Sequence, residues 1–133
     1  MAEPYVALQS VMMPSDTNPY GTIFGGVILS NLDMAGAIAA AREVRLAGGE
    51  PNLSYVTVAL NRVEFKQPVF VGDVVRYETT VTKWGRTSIT LQVNVISDRL
   101  GEQIRVTEAE IVYVGINKER QPVPLLPTKT ANS

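Results

Sequence analysis

From Ile23 to Ala47 the chain reads IFGGVILSNLDMAGAIAAAREVRLA, almost entirely apolar or small, and apart from Asp33 its charges gather at the far end, at Arg42, Glu43 and Arg45. Gly48-Gly49 and Pro51 follow. Cations in the last turns, glycine just past them and proline beyond are helix stop signals. The run therefore predicts one helix of about 24 residues, ~36 Å long. Only its C-terminal end suits water, so the rest must be enclosed by other structure.

The chain downstream supplies that enclosure. Ile89, Leu91, Val93 and Val95 alternate with Ser88, Thr90, Gln92 and Asn94, a two-residue period that marks a strand with one buried face. Val75, Tyr77 and Val81 alternate in the same way with Arg76, Glu78 and Thr82, and KWGR makes the two runs a hairpin. Two further strands flank it. SYVTVALNRVEF places Val56, Val58 and Leu60 in one phase, whereas in EQIRVTEAEIVYVG the apolar phase slips near Thr107 and Glu108, as at a β-bulge. Val6 to Met13 reads as a fifth, short apolar segment, and PSDTNPYGT after it as a loop. Residues 1–116 read as one domain and the Pro-rich residues 117–133 as a partly ordered tail.

One long helix with about five strands, four of them consecutive, predicts an α+β fold in which an antiparallel sheet curves around the helix. One sheet face cannot cover a helix that is apolar nearly all round, and an open sheet leaves edges. A dimer that joins two sheets answers both.

Asp33 is the anomaly in the helix. Positions 26, 30, 33, 37 and 40 share a stripe, and they are Gly26, Ser30, Asp33, Ala37 and Ala40. A carboxylate set among small residues forms a shallow groove where a ligand could lie and a proton could move. A structural reading stands beside it. Ser30-Asn31-Leu32-Asp33 also fits a capping box, which would start the helix after Ser30. Gly25 and Gly26 would carry uncapped N–H groups able to hold an oxyanion or a polarised carbonyl.

Composition narrows the chemistry. The chain has no His and no Cys, so Ser-His-Asp or Cys-His catalysis and zinc sites built on those residues cannot be assembled from it. Acid or base work falls to Asp or Glu, less often Lys or Tyr. A net charge of −1 gives no expectation of nucleic-acid or anionic-membrane partners. MAEPYVALQ lacks the basic start and apolar core of a signal peptide, and no run approaches a membrane span, so a cytoplasmic address is expected.

The residues Asn18-Pro19-Tyr20-Gly21-Thr22-Ile23-Phe24-Gly25-Gly26, then Asp33-Met34-Ala35-Gly36, resemble the pattern N-x-x-G-x-[IVL]-[FH]-G-G…[DE]-x-x-G of hotdog-fold acyl-CoA thioesterases. The short bacterial acyl-CoA hydrolases related to the brain-type enzymes are the nearest group. The resemblance continues through Val63 to Asp73, Gly85 to Ile89 and Gln92 to Val95, and covers about residues 10 to 115. It implies a hotdog fold, dimers whose sheets join edge to edge and trimers of those dimers. Asp33 would be general base or nucleophile, and Asn18 would work beside it from the opposite protomer. Amides near Gly25 and Gly26 would polarise the thioester carbonyl, and Gly85, Arg86, Thr87 and Ser88 would hold the coenzyme A arm, with Arg86 suited to a phosphate. No metal and no cofactor beyond the coenzyme A of the substrate are implied. Val27 departs from the residue usual after the glycine pair, and the tail, whose Lys118 and Arg120 could reach the phosphates of the coenzyme, lies outside the motifs that carry the resemblance.

Hydrolysis of acyl-CoA to free acid and coenzyme A is the expected activity. A hotdog module that binds acyl-CoA without cleaving it is the alternative, although such sensors usually carry a DNA-binding segment and none is visible. A hotdog dehydratase would need a His.

Overall fold

The computed structural model describes residues 3–127. Strand β1 (Tyr5–Val11) and a single 3-10 turn (Pro14–Asp16) lead into helix α1 (Gly25–Leu46), which is followed by β2 (Ser54–Phe65), β3 (Val74–Trp84), β4 (Ser88–Arg99) and β5 (Glu102–Ile116). The strands form one antiparallel sheet in the order β1-β3-β4-β5-β2, and α1 packs against all five. Ile28, Leu32, Ala35, Ala39 and Val44 of the helix meet Val75, Tyr77, Ile89, Leu91, Val93 and Ile111 of the sheet in the core.

The helix ends as its sequence requires. Gly48 takes φ +77°, a left-handed conformation natural to glycine, so that its N–H reaches Arg45 O at 3.0 Å and that of Gly49 reaches Val44 O at 2.8 Å. Its start is earlier than the capping box would place it. Helical geometry begins at Gly25, Phe24 caps without a side-chain bond, and Asp33 lies in the third turn, so the capping reading falls.

Two strand details follow from bulges. Val95 pairs with Thr107 but Ile96 with Arg105, leaving Val106 unpaired in β5, so that Val106 and Thr107 are both buried and the apolar phase slips where expected. In β2 the expectation of a buried row fails. The register breaks between Thr57 and Ala59, Val58 bulges, and Val56, Val58 and Leu60 are 37%, 55% and 38% exposed. Nothing in the alternation of β2 itself marks this break. Because β2 is an edge strand, its row has no neighbour on one side.

Residues 117–127 run back over the domain, and residues 128–133 lie outside the described residues. Leu125 is fully buried; its N–H donates to Arg86 O at 3.1 Å and its carbonyl accepts from Glu50 N–H at 3.0 Å. One buried leucine thus anchors a segment whose composition alone reads as tail.

Asp73 clamps the loop before β3. It is 4% exposed and accepts bonds from Arg99 (Nη2, 2.8 Å), Ser97 (Oγ, 2.8 Å) and the Phe70 N–H (3.0 Å). Burial alone would raise its pKa, but the bonds from Arg99, Phe70 and Ser97 and the charge of Arg99 outweigh it and hold the carboxyl below its ordinary 3.8. A depressed folded-state pKa stabilises above the unfolded value, and that stabilisation is lost as pH falls through the folded value. Arg99→Ala is therefore expected to cost about 2 kcal/mol at neutral pH, with Asp73 left buried and poorly paired. Urea unfolding should show the gap from wild type closing below about pH 4; a gap independent of pH would remove the ion pair from the account.

Candidate functional site

The stripe of small residues opens from the core onto the surface. Ala40 is buried, Ala37 is half-buried, and Asp33, Ser30 and Gly26 are exposed, so the carboxylate stands at the edge of an uncovered face. Met34 and Ile38, beside it on α1, are 52% and 43% exposed. One sheet leaves this side of the helix open, although its apolar composition calls for cover.

Two sheet residues grip one oxygen of that carboxylate. Thr57 Oγ1 of β2 donates to Asp33 Oδ1 at 2.6 Å, and the Tyr113 hydroxyl of β5 lies 3.2 Å from the same oxygen and 2.6 Å from the Asp33 main-chain carbonyl. Thr57 and Tyr113 are paired across the β2–β5 ladder, so one register sets both donors. Asp33 Oδ2 accepts no hydrogen bond among the described residues, which leaves its lone pairs without a protein donor there. Burial first, then the negative charge and hydrogen bond of Asp33, push the Tyr113 pKa far above its ordinary value. Tyr113 therefore stays protonated and remains a donor at any physiological pH.

Gly36 makes room for this contact. It lies nearly one turn after Asp33, and a Cβ there would fall on the Tyr113 hydroxyl and within 2.9 Å of two ring atoms. The acid and the glycine of the D-x-x-G motif thus face the same tyrosine.

At the helix N-terminus, the Gly25 and Gly26 N–H groups have no acceptor among the described residues, and they head a 22-residue helix whose dipole favours negative charge at this end. A cavity of about 350 Å³ opens against Gly25, between Ile23, Ile28, Phe65 and Val69. A larger one, about 750 Å³, lies beyond the other end of the helix, against Gly49, Glu50, Asn52 and Leu126. That end is ~20 Å along the helix from Asp33.

Asn18 is not joined to Asp33 by any hydrogen bond within the described chain. Its side chain organises its own loop, with Nδ2 donating to Thr22 Oγ1 at 2.8 Å and Oδ1 accepting from the Tyr20 N–H at 2.9 Å. Ile23 N–H to Val69 O, 2.8 Å, and Phe24 N–H to Asp16 O, 3.0 Å, tie that loop to the body. Gly85, Arg86, Thr87 and Ser88 form the β3–β4 turn. Gly85 N–H meets Ser88 O at 2.8 Å, and Thr87 O accepts from Gly115 N–H at 2.9 Å, two residues along β5 from Tyr113. Arg86 is exposed and makes no ion pair among the described residues. No group of three or more acidic side chains placed to hold a metal occurs among the described residues, and no helix there is long and apolar enough to cross a membrane.

Sequence reasoning missed Thr57 and Tyr113. Tyr113 had one available signal, because a tyrosine in the buried phase of a strand usually finds a partner for its hydroxyl. Thr57 had none beyond being the polar residue of VTV.

Comparison with known proteins agrees with this architecture. The family described as the thioesterase superfamily matches residues 20–104. The acyl-CoA thioester hydrolase YciA of Salmonella typhimurium is 37% identical over 125 residues, covering 90% of this chain and 89% of that protein. The hexameric hotdog-fold thioesterase Cj0915 of Campylobacter jejuni superposes with a TM-score of 0.78 at 43% identity, over 90% of this chain and 88% of its own. The hexameric thioesterase y2039 of Yersinia pestis does so with a TM-score of 0.85 at 34% identity, over 97% and 100%.

Proposed function

The chain belongs to the thioesterase superfamily, and we propose on that premise that it hydrolyses acyl-coenzyme A thioesters with Asp33 as the reacting carboxylate. It is a hotdog-fold enzyme of the hydrolase class, as its relatives are. The observation that carries the assignment is the state of Asp33, an exposed residue whose Oδ1 is held by Thr57 while Oδ2 accepts no hydrogen bond among the described residues.

The reaction converts the thioester and water into a carboxylic acid and the coenzyme A thiol. Oδ2 either takes a proton from water as the water oxygen attacks the carbonyl carbon, or attacks that carbon itself. In both cases charge develops on the carbonyl oxygen, and the Gly25 and Gly26 amides are the free donors suited to it. The carbon–sulfur bond then breaks, and on the second route water hydrolyses the resulting acyl–Asp33 anhydride, which releases the acid and restores the carboxylate. A thiol ionises near pH 8.5, so its departure needs little acid assistance. A positioned base contributes ~10²–10⁴ in rate, and each oxyanion donor ~10²–10³.

Asn18 completes the site from a second protomer in this reading, and Arg86 in the Gly85–Ser88 turn receives a phosphate of the coenzyme. Three observations support assembly: the exposed Met34 and Ile38 beside Asp33, the apolar unpaired edge of β2, and the hexameric state of the solved relatives. A dimer joining sheets edge to edge, and a trimer of such dimers, fit these. A cytoplasmic site of action fits the cysteine-free chain.

A panel of acyl-CoAs of increasing chain length, assayed for thiol release, tests the reaction. At least one length is expected to turn over repeatedly. Stoichiometric acyl-CoA binding with no thiol released from any would replace the enzyme with a binding module.

A further inference from the structure

Phe65 ends the edge strand β2 and is 53% exposed, although a phenyl ring left half in water forgoes much of what its burial would contribute. What lies beside the ring is the start of α1. A Cβ built on Gly25 would fall 3.4 and 3.5 Å from two ring atoms, so the ring covers one side of that glycine. Both residues line the cavity of about 350 Å³ at this end of the helix.

That cavity is apolar inside and polar at its mouth. Ile23, Ile28 and Val69 are buried and form the interior, where the bond from Ile23 N–H to Val69 O, 2.8 Å, holds two of them together. Lys66, Gln67 and Pro68 line it too, but all three are exposed and stand at the mouth. The Lys66 and Gln67 N–H groups are bound to Val106 O at 2.7 and 3.3 Å, and Lys66 Nζ lies 3.4 Å from a Glu108 oxygen. Thr107, the last lining residue, offers no polar group, because its Oγ1 is buried. A charged or hydroxylated group brought inside would leave water without finding a free partner. A short hydrocarbon would lose nothing there.

We propose that Phe65 is the specificity-determining wall of an acyl subsite in this cavity, which makes short, unsubstituted, uncharged acyl groups the preferred substrate class. The inference rests on the hydrolytic reading above. A thioester carbonyl held by the Gly25 amide puts its first acyl carbons beside Gly25, and so beside the ring. The interior accepts methylene groups and the ring keeps water from them. Size sets the limit, since about 350 Å³ lies at the lower end of the range that ligand pockets occupy, ~300–1,000 Å³. A bound chain in turn covers apolar ring surface that the free protein leaves in water.

Thiol release from acetyl-, butyryl-, hexanoyl- and decanoyl-CoA, measured on the wild type, Phe65→Ala and Phe65→Trp, decides the matter. In the wild type kcat/KM should rise about fifteenfold from acetyl to butyryl, roughly fourfold for each methylene buried, and decanoyl-CoA should fall below hexanoyl-CoA because its end cannot enter. In Phe65→Ala the acetyl-to-butyryl rise should shrink to about threefold, since one wall no longer excludes water. In Phe65→Trp the larger ring takes up cavity space, and hexanoyl-CoA should fall below butyryl-CoA. Two variants of opposite sense keep the test open to failure where one of them does not fold. A wild type that turns over decanoyl-CoA best overturns the proposal, as does an unchanged order and spacing of the four esters in the variants. An equal loss for all four overturns it too, and would assign the ring to the fold or to a subunit contact. If no ester yields thiol from the wild type, hydrolysis itself fails; equilibrium binding of the same esters then decides the cavity, and equal affinity for acetyl- and butyryl-CoA overturns the inference.

Discussion

Asp33→Asn is expected to lower kcat for acyl-CoA hydrolysis at least about a hundredfold, with the melting temperature changed by no more than about 2 °C. The substitution keeps shape and both acceptor contacts, since an amide oxygen can still receive bonds from Thr57 Oγ1 and the Tyr113 hydroxyl. What it removes is the second basic oxygen. The atom at the Oδ2 position becomes an NH₂ group, which can neither take a proton from water nor attack a carbonyl. Because Asp33 is exposed at the surface of α1 and caps nothing, folding has little to lose. The control is Asp16→Asn, in the loop, where an amide oxygen can still accept the 2.9 Å bond from the Met13 N–H. It should leave kcat as it is. Equal kcat for wild type and Asp33→Asn would sink the mechanism, and a change in KM alone would reduce Asp33 to a binding group.

The helix and most strands were legible because burial imposes a period on them. The run from Ile23 to Ala47 became α1 over Gly25–Leu46, and the slip at Thr107 became the Val106 bulge. Asp33 could be singled out for the same reason: a charge within an apolar period is locally visible. The rest depended on contacts between distant residues. Thr57 and Tyr113 lie 24 and 80 positions from the acid they hold, and no local pattern reports such pairing. Val58 bulges in a strand whose alternation looks regular, because the partner register that breaks there belongs to β5. Leu125 anchors the C-terminal segment only because Gly49, Gly115 and Arg86 come together around it. Asn18 sits at the other end of the motif from Asp33 with no bond between them in one chain, which is how a site shared between protomers would look from a single copy.

Gly36→Ala is the variant expected to harm the fold most. In an ordinary helix interior this change stabilises by up to ~1 kcal/mol, because alanine restricts the unfolded chain and favours helix. Here the sign should reverse, with a loss of about 3 kcal/mol in urea unfolding, at the upper end of overpacking costs. The added methyl would occupy the place of the Tyr113 hydroxyl, and two ring atoms lie within 2.9 Å of it. Tyr113 has nowhere to retreat. It is fully buried in β5 between β4 and β2, with Ile89 and Thr57 opposite it. Either the helix lifts or the ring turns, and each breaks the 2.6 Å bond from the Tyr113 hydroxyl to the Asp33 carbonyl. The carboxylate then loses its fixed position, so kcat should fall about tenfold in whatever fraction remains folded. Gly26→Ala serves as the stability control, since a Cβ there meets nothing within 4 Å and should cost nothing. Adding Tyr113→Phe to Gly36→Ala removes the oxygen from the clash but leaves the ring, so it should recover part of the lost stability and none of the activity. Unaltered stability in Gly36→Ala would mean that the glycine does not hold space for the tyrosine. A full recovery of kcat in the double variant would mean that the hydroxyl does not position Asp33.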